Sequence, residues 1–487
     1  STPAPGDSTV RHTLFSLLLP LLFFAVRPAL GDEDLTSTYR DEAGRIIGAA
    51  LTDEEGWEKL SYLTTVVGAR LSGSEQLEQA IEWATETLKD EGFDNVSSQP
   101  VEVTHWVRGE ESARVLAPLG RELAILGLGR SIGTPIEGIE APAVVVSGFD
   151  ELEALGREAV KGKIVVYAVP WEGYGETVRY RGDGASRAAA LGAVAVLVRS
   201  ATGRSIASPH TGALRYSDDA SRIPAAAITV EDAEWMQRLA DMGHELRVEL
   251  RMAAKTLPDA RSANVIAEIR GSQYPEEVVV MGGHFDSWDV GQGAHDDGAG
   301  CIAAWQALRI IQSLGLQPRR TLRLVLWTNE ANCLAGARAY RDWVGDEIER
   351  HVAAIEMDGG AERPLGFGFG LTGVEPDSGD PIYESALAQL QAIGHLLLGI
   401  EAGQIFRGGG GADIGPLVKS GVPGLGLNTV GEHYFDWHHT EADTLDKIDP
   451  QNFRRAVAML AVMGYVLADM PGRLVSAESY GPLAAGS

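Results

Sequence analysis

Four short stretches of this sequence carry side chains able to bind a metal ion or move a proton. The first is His284-Phe285-Asp286, followed twelve residues after His284 by Asp296-Asp297-Gly298. A neutral imidazole and a carboxylate are the donors that zinc takes in open, catalytic sites. Asp286 is well placed to accept the other ring N–H of His284 and so fix its tautomer. The second stretch is Asn329-Glu330, with no cationic side chain near it in sequence. Such a carboxylate suits a general base that takes a proton from activated water. An acid at a helix N-terminus, favoured by the macrodipole, explains this segment equally well by itself. The third is Glu356-Met357-Asp358-Gly359-Gly360, where Asp358 projects into a site at a strand end and Glu356 shares its face. The fourth is His438-His439-Thr440, with Asp443 four residues beyond His439. Spacing alone does not choose between His438 and His439, and a surface histidine is the bland alternative for each.

Between the third and fourth stretches lies Arg407-Gly408-Gly409-Gly410-Gly411-Ala412-Asp413. Successive glycines let the backbone approach a ligand closely, and exposed N–H groups there suit a substrate carboxylate or an oxyanion. Gly410, Gly411 and Asp413 are the candidates for that contact, against a plain flexible loop. No Gly-Lys-Ser/Thr follows, so this is not a nucleotide-binding loop. Tyr434 either steadies an oxyanion or packs as an ordinary aromatic.

The elements that must position these groups are legible in outline. From Asn264 the pattern repeats strand, loop and helix: a strand at 278–281 and a helix from Gly298, a strand at 322–327 and a helix after Asn332, then a strand at 352–357 and a loop. This alternation predicts an α/β fold with a mostly parallel sheet flanked by helices. In such sheets ligands collect beyond the carboxyl ends of the strands, where the four stretches fall. Earlier, Trp57, Leu60, Leu63 and Val66, then Leu77, Ile81, Ala84 and Leu88, recur at helical spacing and predict two amphipathic helices around a turn at Gly73. Residues 115–257 read as a smaller inserted α/β domain, with strands at 143–146, 164–169 and 193–198 and one helix at 184–191. The expected divisions are residues 1–31, 32–114, 115–257, 258–475 and a tail at 476–487.

Composition limits the function. With 487 residues, 45% hydrophobic and 22% charged, the chain is globular and long enough for more than one core. A net charge of -27 repels phosphate backbones and excludes a nucleic-acid partner. Arg11 and His12 precede an apolar run at 14–26, and Ala29-Leu30-Gly31 follows, so residues 1–31 read as a secretory signal peptide with the mature chain starting near Asp32. That run is shorter than the roughly 20 residues of a bilayer span, so no membrane anchor is expected after cleavage and the destination is secreted or lumenal. The two cysteines, Cys301 and Cys333, make no disulfide framework, and sequence does not decide whether they pair. Asn95-Val96-Ser97 is a sequon for glycosylation on a eukaryotic secretory route. No Gly-x-Ser-x-Gly elbow supports a serine hydrolase.

The stretches ARLSGSEQLEQAIEW, HWVRGEESA, GGHFDSWDVGQGAHDDGAG, LRLVLWTNE, AAIEMDGG, GGGGADIGPL and YFDWHHTEADT resemble metallopeptidase family 28, across almost the whole mature chain. The resemblance implies a zinc-aminopeptidase-like fold with a protease-associated-like inserted domain over the site. It implies two zinc ions (Zn2+), bridged by Asp296, with His284 and Asp358 completing one site and His439 serving the other. Glu330 is then the general base, and the reaction is hydrolysis of dipeptides or terminal residues of small peptides. Relatives of this kind form homodimers.

One departure bears on that chemistry. The family has two adjacent glutamates after this strand, the first catalytic and the second a ligand of the zinc held by His439, whereas here the pair reads Glu330-Ala331. Cys333 and Leu334 also stand where a tight turn is expected. The second zinc then keeps only Asp296 and His439, unless Asn332 or the Cys333 thiolate moves in. The alternative reading is a catalytically impaired relative that binds peptides or acts as an interaction protein. A zinc acyltransferase or deacetylase on the same scaffold is a third, selected by no residue here.

Overall fold

The apolar run Val278-Val279-Val280-Met281 marks a strand covered on both faces, and it forms the middle of the first of two eight-stranded sheets. In this computed structural model, which describes residues 32–476, that sheet has eight strands. They lie in the order Asp94–Val103, Ala260–Ile269, Arg320–Trp327, Tyr274–His284, His351–Glu356, Gly424–Thr429, Pro364–Gly370 and Gln404–Arg407. Tyr274–His284 pairs in parallel with both its neighbours, and His351–Glu356 is parallel to Gly424–Thr429. Antiparallel pairings flank this centre, so the parallel part is where the site stands and the whole sheet is mixed. One face packs on the helices Asp32–Leu51, Ala299–Ser313, Pro381–His395 and Pro450–Asp469, and the other on Ala335–Val344 and Gly415–Lys419.

The expected signal peptide, and the tail apart from Ser476, fall outside the described residues. No described helix is long and apolar enough to cross a membrane. Cys301 and Cys333 are both free. Asn95 is exposed, and its amide donates to Glu268 Oε2 at 2.6 Å.

The second sheet also has eight strands, running from Glu111 to Met252 in sequence. The two-stranded ribbon Trp106–Val107 with Lys255–Thr256 joins it to the rest. Three helices cover it, Phe149–Val160, Tyr174–Ala190 and Val230–Asp241, where the sequence reading gave one. Arg179, Arg181 and Asp183 interrupt any apolar stripe in the second helix, and its stability comes from packing on the sheet. The third carried a readable start, since the Thr229 hydroxyl accepts from Asp232 N–H at 3.0 Å.

Near the N-terminus, Glu55–Tyr62 runs into a wider turn at Leu63–Val67, closed by Gly68 N–H to Leu63 carbonyl at 2.9 Å. The extra residue per turn carries Val66 off the apolar stripe, and it is exposed instead of buried. The chain then reaches Arg70, which is fully buried. Its guanidinium donates to the carbonyls of Phe285 at 2.6 Å, Gln292 at 2.9 Å and Gly293 at 2.9 Å. One side chain thus holds the loop that leads from His284 to Asp296. Arg70→Leu leaves those carbonyls without donors, at about 1–3 kcal/mol for each stranded group. Denaturant unfolding should show a loss of at least about 3 kcal/mol, and Arg70→Lys a smaller one.

Candidate metal centre

His284 ends its strand and is 1% exposed. Its Nδ1 meets the backbone carbonyl of Asp286 at 2.9 Å, and the Asp286 carboxylate is farther away, at 3.8 Å. The tautomer is therefore fixed by the carbonyl and not by the carboxylate expected from sequence. The Asp286 carboxylate accepts from the N–H groups of Glu330 at 3.0 Å and Ala331 at 3.3 Å, so it positions the proposed base. With Nδ1–H committed, His284 presents Nε2 to Asp296 Oδ1 at 2.9 Å, Asp358 Oδ1 at 3.5 Å and Glu330 Oε2 at 4.0 Å.

Asp296 spans two imidazoles. While Oδ1 meets His284, Oδ2 lies 3.0 Å from His439 Nε2 and 3.9 Å from His438 Nε2. The backbone that carries Asp296 is held by Asp443, whose carboxylate accepts from the N–H groups of Ala294 at 3.1 Å, His295 at 2.7 Å and Asp296 at 3.2 Å. Asp297 turns back to the strand and accepts from His284 N–H at 3.2 Å and Gly300 N–H at 3.1 Å. Glycine at 283 permits this approach, because a Cβ there would stand 2.1 Å from Asp297 Oδ2.

The inserted region reaches this centre directly. His439 sits at φ 62°, and its Nδ1 lies 3.1 Å from Thr211 carbonyl while Thr211 N–H donates to His439 carbonyl at 3.0 Å. Arg181 donates to the same Thr211 carbonyl at 3.1 Å. The arrangement leaves His439 Nε2 free to face Asp296.

Two donor groups result, Asp296 with His438 and His439, and His284 with Asp297 and Asp358, each with its ligand atoms within 4.8 Å of one another. Their electrostatics call for a cation. Burial opposes charge on His284, but Asp296 and Asp358 prevail and raise its pKa well above the ordinary value. Burial, opposed by His284 and reinforced by Asp358 and Asp296, pushes Glu330 up to about 8. Burial, with Asp296 adding to it, pushes Asp443 up to about 7.

The remaining candidates take other places. Glu356 accepts from the N–H groups of Asp413 at 3.3 Å and Ile414 at 2.8 Å, which pins the glycine loop to the sheet. Gly411 packs on Glu356, where a Cβ would lie 2.1 Å from Oε2, and the carbonyl of Gly410 approaches Gly426. Asp413 is 1% exposed, shut away from a bulky substrate. Tyr434 is buried with its ring 5.1 Å from that of His438. Cys333 Sγ donates to Asn329 Oδ1 at 2.9 Å and does not join the Asp296 group, while Asn332 donates its Nδ2 to Ser72 Oγ at 3.4 Å and its Oδ1 is buried without a hydrogen-bond partner. Arg70, Asp443, Asp297 and Thr211 had no assigned role in the sequence reading. Asp443, four residues after His439, had a signal in its spacing; Thr211 had none.

Residues 264–463 match Peptidase family M28, and residues 137–236 match the PA domain. Carboxypeptidase Q of Mus musculus is 45% identical over 437 residues, which cover 89% of this chain and 90% of that protein. Carboxypeptidase Q of Homo sapiens is 46% identical over 433 residues, 88% and 89% of the two chains. A solved structure of a Peptidase M28 precursor from Shewanella amazonensis SB2B matches with a TM-score of 0.84 at 33% identity, covering 90% of this chain and 98% of that one. BSAP, a zinc aminopeptidase from Bacillus subtilis, shares the fold with a TM-score of 0.64 at 18% identity, over 87% and 97% of the chains.

The raised acids predict how the metal-free protein responds to pH. Asp443 rises from 3.8 to about 7 and Glu330 from 4.5 to about 8, so the folded state holds more protons than the unfolded chain in that interval. Their contribution is complete at low pH and is lost as pH rises through the folded values. Buried His295 and His351, lowered by burial to about 4 and about 3, act oppositely, but only below their ordinary value of 6.5. Calorimetry of chelator-treated protein should therefore show an unfolding midpoint that falls between pH of about 6.5 and 8.5 and a fall that zinc abolishes. A flat or rising midpoint contradicts the assignment.

Proposed function

The chain belongs to peptidase family M28 and is a metallo-exopeptidase, and on that premise we propose that it hydrolyses dipeptides or terminal residues of small peptides with zinc. The observation that supports this reading most directly is the Asp296 carboxylate, with one oxygen on His284 and the other on His439. The donor set fits zinc in kind, since imidazole nitrogens and carboxylate oxygens converge and His284 and His439 each commit Nδ1 to a carbonyl. His284, Asp358 and Asp296 would hold one ion, and His439 with Asp296 a second. Zinc held there supplies activation of a water and polarisation of the scissile carbonyl.

The chain's own groups then do the rest. Glu330, its backbone held by Asp286, takes the proton of the attacking water on its carboxylate and delivers it to the departing amine. Tyr434, whose pKa burial and the neighbouring Asp296 and Asp358 raise, keeps its proton and suits donation to the developing oxyanion. Gly410 and Gly411 are the proposed backbone contacts to the substrate. The 115–257 region serves as a cover that carries Thr211 and Arg181 against His439. Export to a secreted or lumenal destination and assembly as a homodimer complete the proposal.

A second reading has one specific observation behind it. Ala331 carries no donor atom and packs in an apolar cluster with Leu71, Trp106 and Trp288, as expected of a peptide-binding relative with little turnover. A dipeptide panel decides between the two. Turnover by the zinc-loaded wild type, falling about 10²- to 10⁴-fold in Glu330→Gln with zinc content unchanged, is expected. No turnover by wild type, with activity gained on Ala331→Glu, overturns the peptidase reading in favour of the impaired one.

A further inference from the structure

The carboxylate missing at Ala331 leaves the His439 side of the centre short of a donor, and the structure brings one from another element. Resting on the zinc reading above, we propose that His438 supplies it, so that Asp296, His438 and His439 together form the second zinc site of this chain. Of the two side chains suggested by sequence, Cys333 is engaged with Asn329, whereas Asn332 donates its Nδ2 to Ser72 and keeps a buried Oδ1 with no hydrogen-bond partner, which makes it the rival donor that Asn332→Ala tests. Ala331 itself belongs to the apolar cluster that also holds Leu71, Trp106 and Trp288, and its side chain has no polar atom to offer. His438, by contrast, is 6% exposed and turns Nε2 to the same Asp296 oxygen that His439 reaches.

The distances suit the role. Donors about 2.0–2.2 Å from a tetrahedral ion stand about 3.4 Å apart. His439 Nε2 and His438 Nε2 are 3.0 and 3.9 Å from Asp296 Oδ2, on either side of that separation. The two rings stack, with centroids 3.5 Å apart and planes 20° from parallel, and both Nε2 atoms face Asp296 Oδ2. Tyr174, Tyr434 and Phe435, at 5.2, 5.1 and 5.5 Å between centroids, hold the His438 ring in place. Two imidazoles and one carboxylate leave a fourth position open, as a hydrolytic site requires. Replacing a carboxylate by a neutral imidazole leaves the second ion less neutralised, and it is therefore the first to leave on dialysis.

Zinc per chain is measured on holoenzyme dialysed against buffered free zinc, for wild type, His438→Phe, Asn332→Ala and His438→Phe with Ala331→Glu. Two zincs in wild type and Asn332→Ala, one in His438→Phe, and two again on adding Ala331→Glu support the proposal, with the second site weakened at least about 10- to 100-fold by loss of His438. Zinc-edge X-ray absorption of the wild type needs no variant and should count three imidazoles over two ions. Two zincs retained by His438→Phe, loss of the second in Asn332→Ala instead, or two imidazoles in the absorption spectrum overturns it. A single zinc in wild type also overturns it while leaving the peptidase reading intact, whereas no zinc at all overturns both.

Discussion

The carboxylate of Asp296 is the point on which the centre depends. It is nearly buried, and its two oxygens face imidazoles that come from distant parts of the chain, His284 and His439. Although burial pushes its pKa up, the two imidazoles hold it well below the ordinary range, so it stays ionised. A group buried and charged in this way demands neighbours of opposite charge and a backbone that does not move. Both are provided. Asp443 grips three successive backbone N–H groups around Asp296, and Arg70 ties down the loop that precedes it.

The inserted region takes part in the centre itself. Its Thr211 carbonyl receives His439 Nδ1, its Arg181 donates to that carbonyl, and Arg108 reaches Thr211 Oγ1 at 3.4 Å while pairing with Asp289. The tautomer of a histidine in the catalytic half is thus set by a residue 228 positions away. Detaching the insert would remove the Thr211 contacts that orient His439.

What the sequence made legible follows from local chemistry. Polar residues placed directly after apolar strand runs identified the carboxyl edge of the sheet, and imidazoles and carboxylates there marked His284, Asp296, Glu330, Asp358 and the His438-His439 pair as metal or proton-transfer candidates. The central parallel strands were readable because their apolar runs are continuous. Whatever depends on distant partners was not. Asp286 sits beside His284 in sequence, yet its carboxylate serves Glu330 and Ala331, which only the pairing of two strands brings near. The helices Phe149–Val160 and Val230–Asp241 were missed in a region whose pattern is carried by short strands, and Asp413, which looked like a loop contact, is drawn into the interior beside Glu356. Spacing could not separate His438 from His439, and in the fold both turn Nε2 to the same oxygen of Asp296, at 3.9 and 3.0 Å.

Anomalous diffraction at the zinc edge, from crystals of the zinc-loaded protein, tests the central role of Asp296 most directly. Two peaks are expected, one against each oxygen of Asp296, the first bordered by His284 and Asp358 and the second by His439. A map with no peak beside Asp296, or with zinc bound only at sites remote from it, would contradict the assignment of this carboxylate as the bridge of the centre.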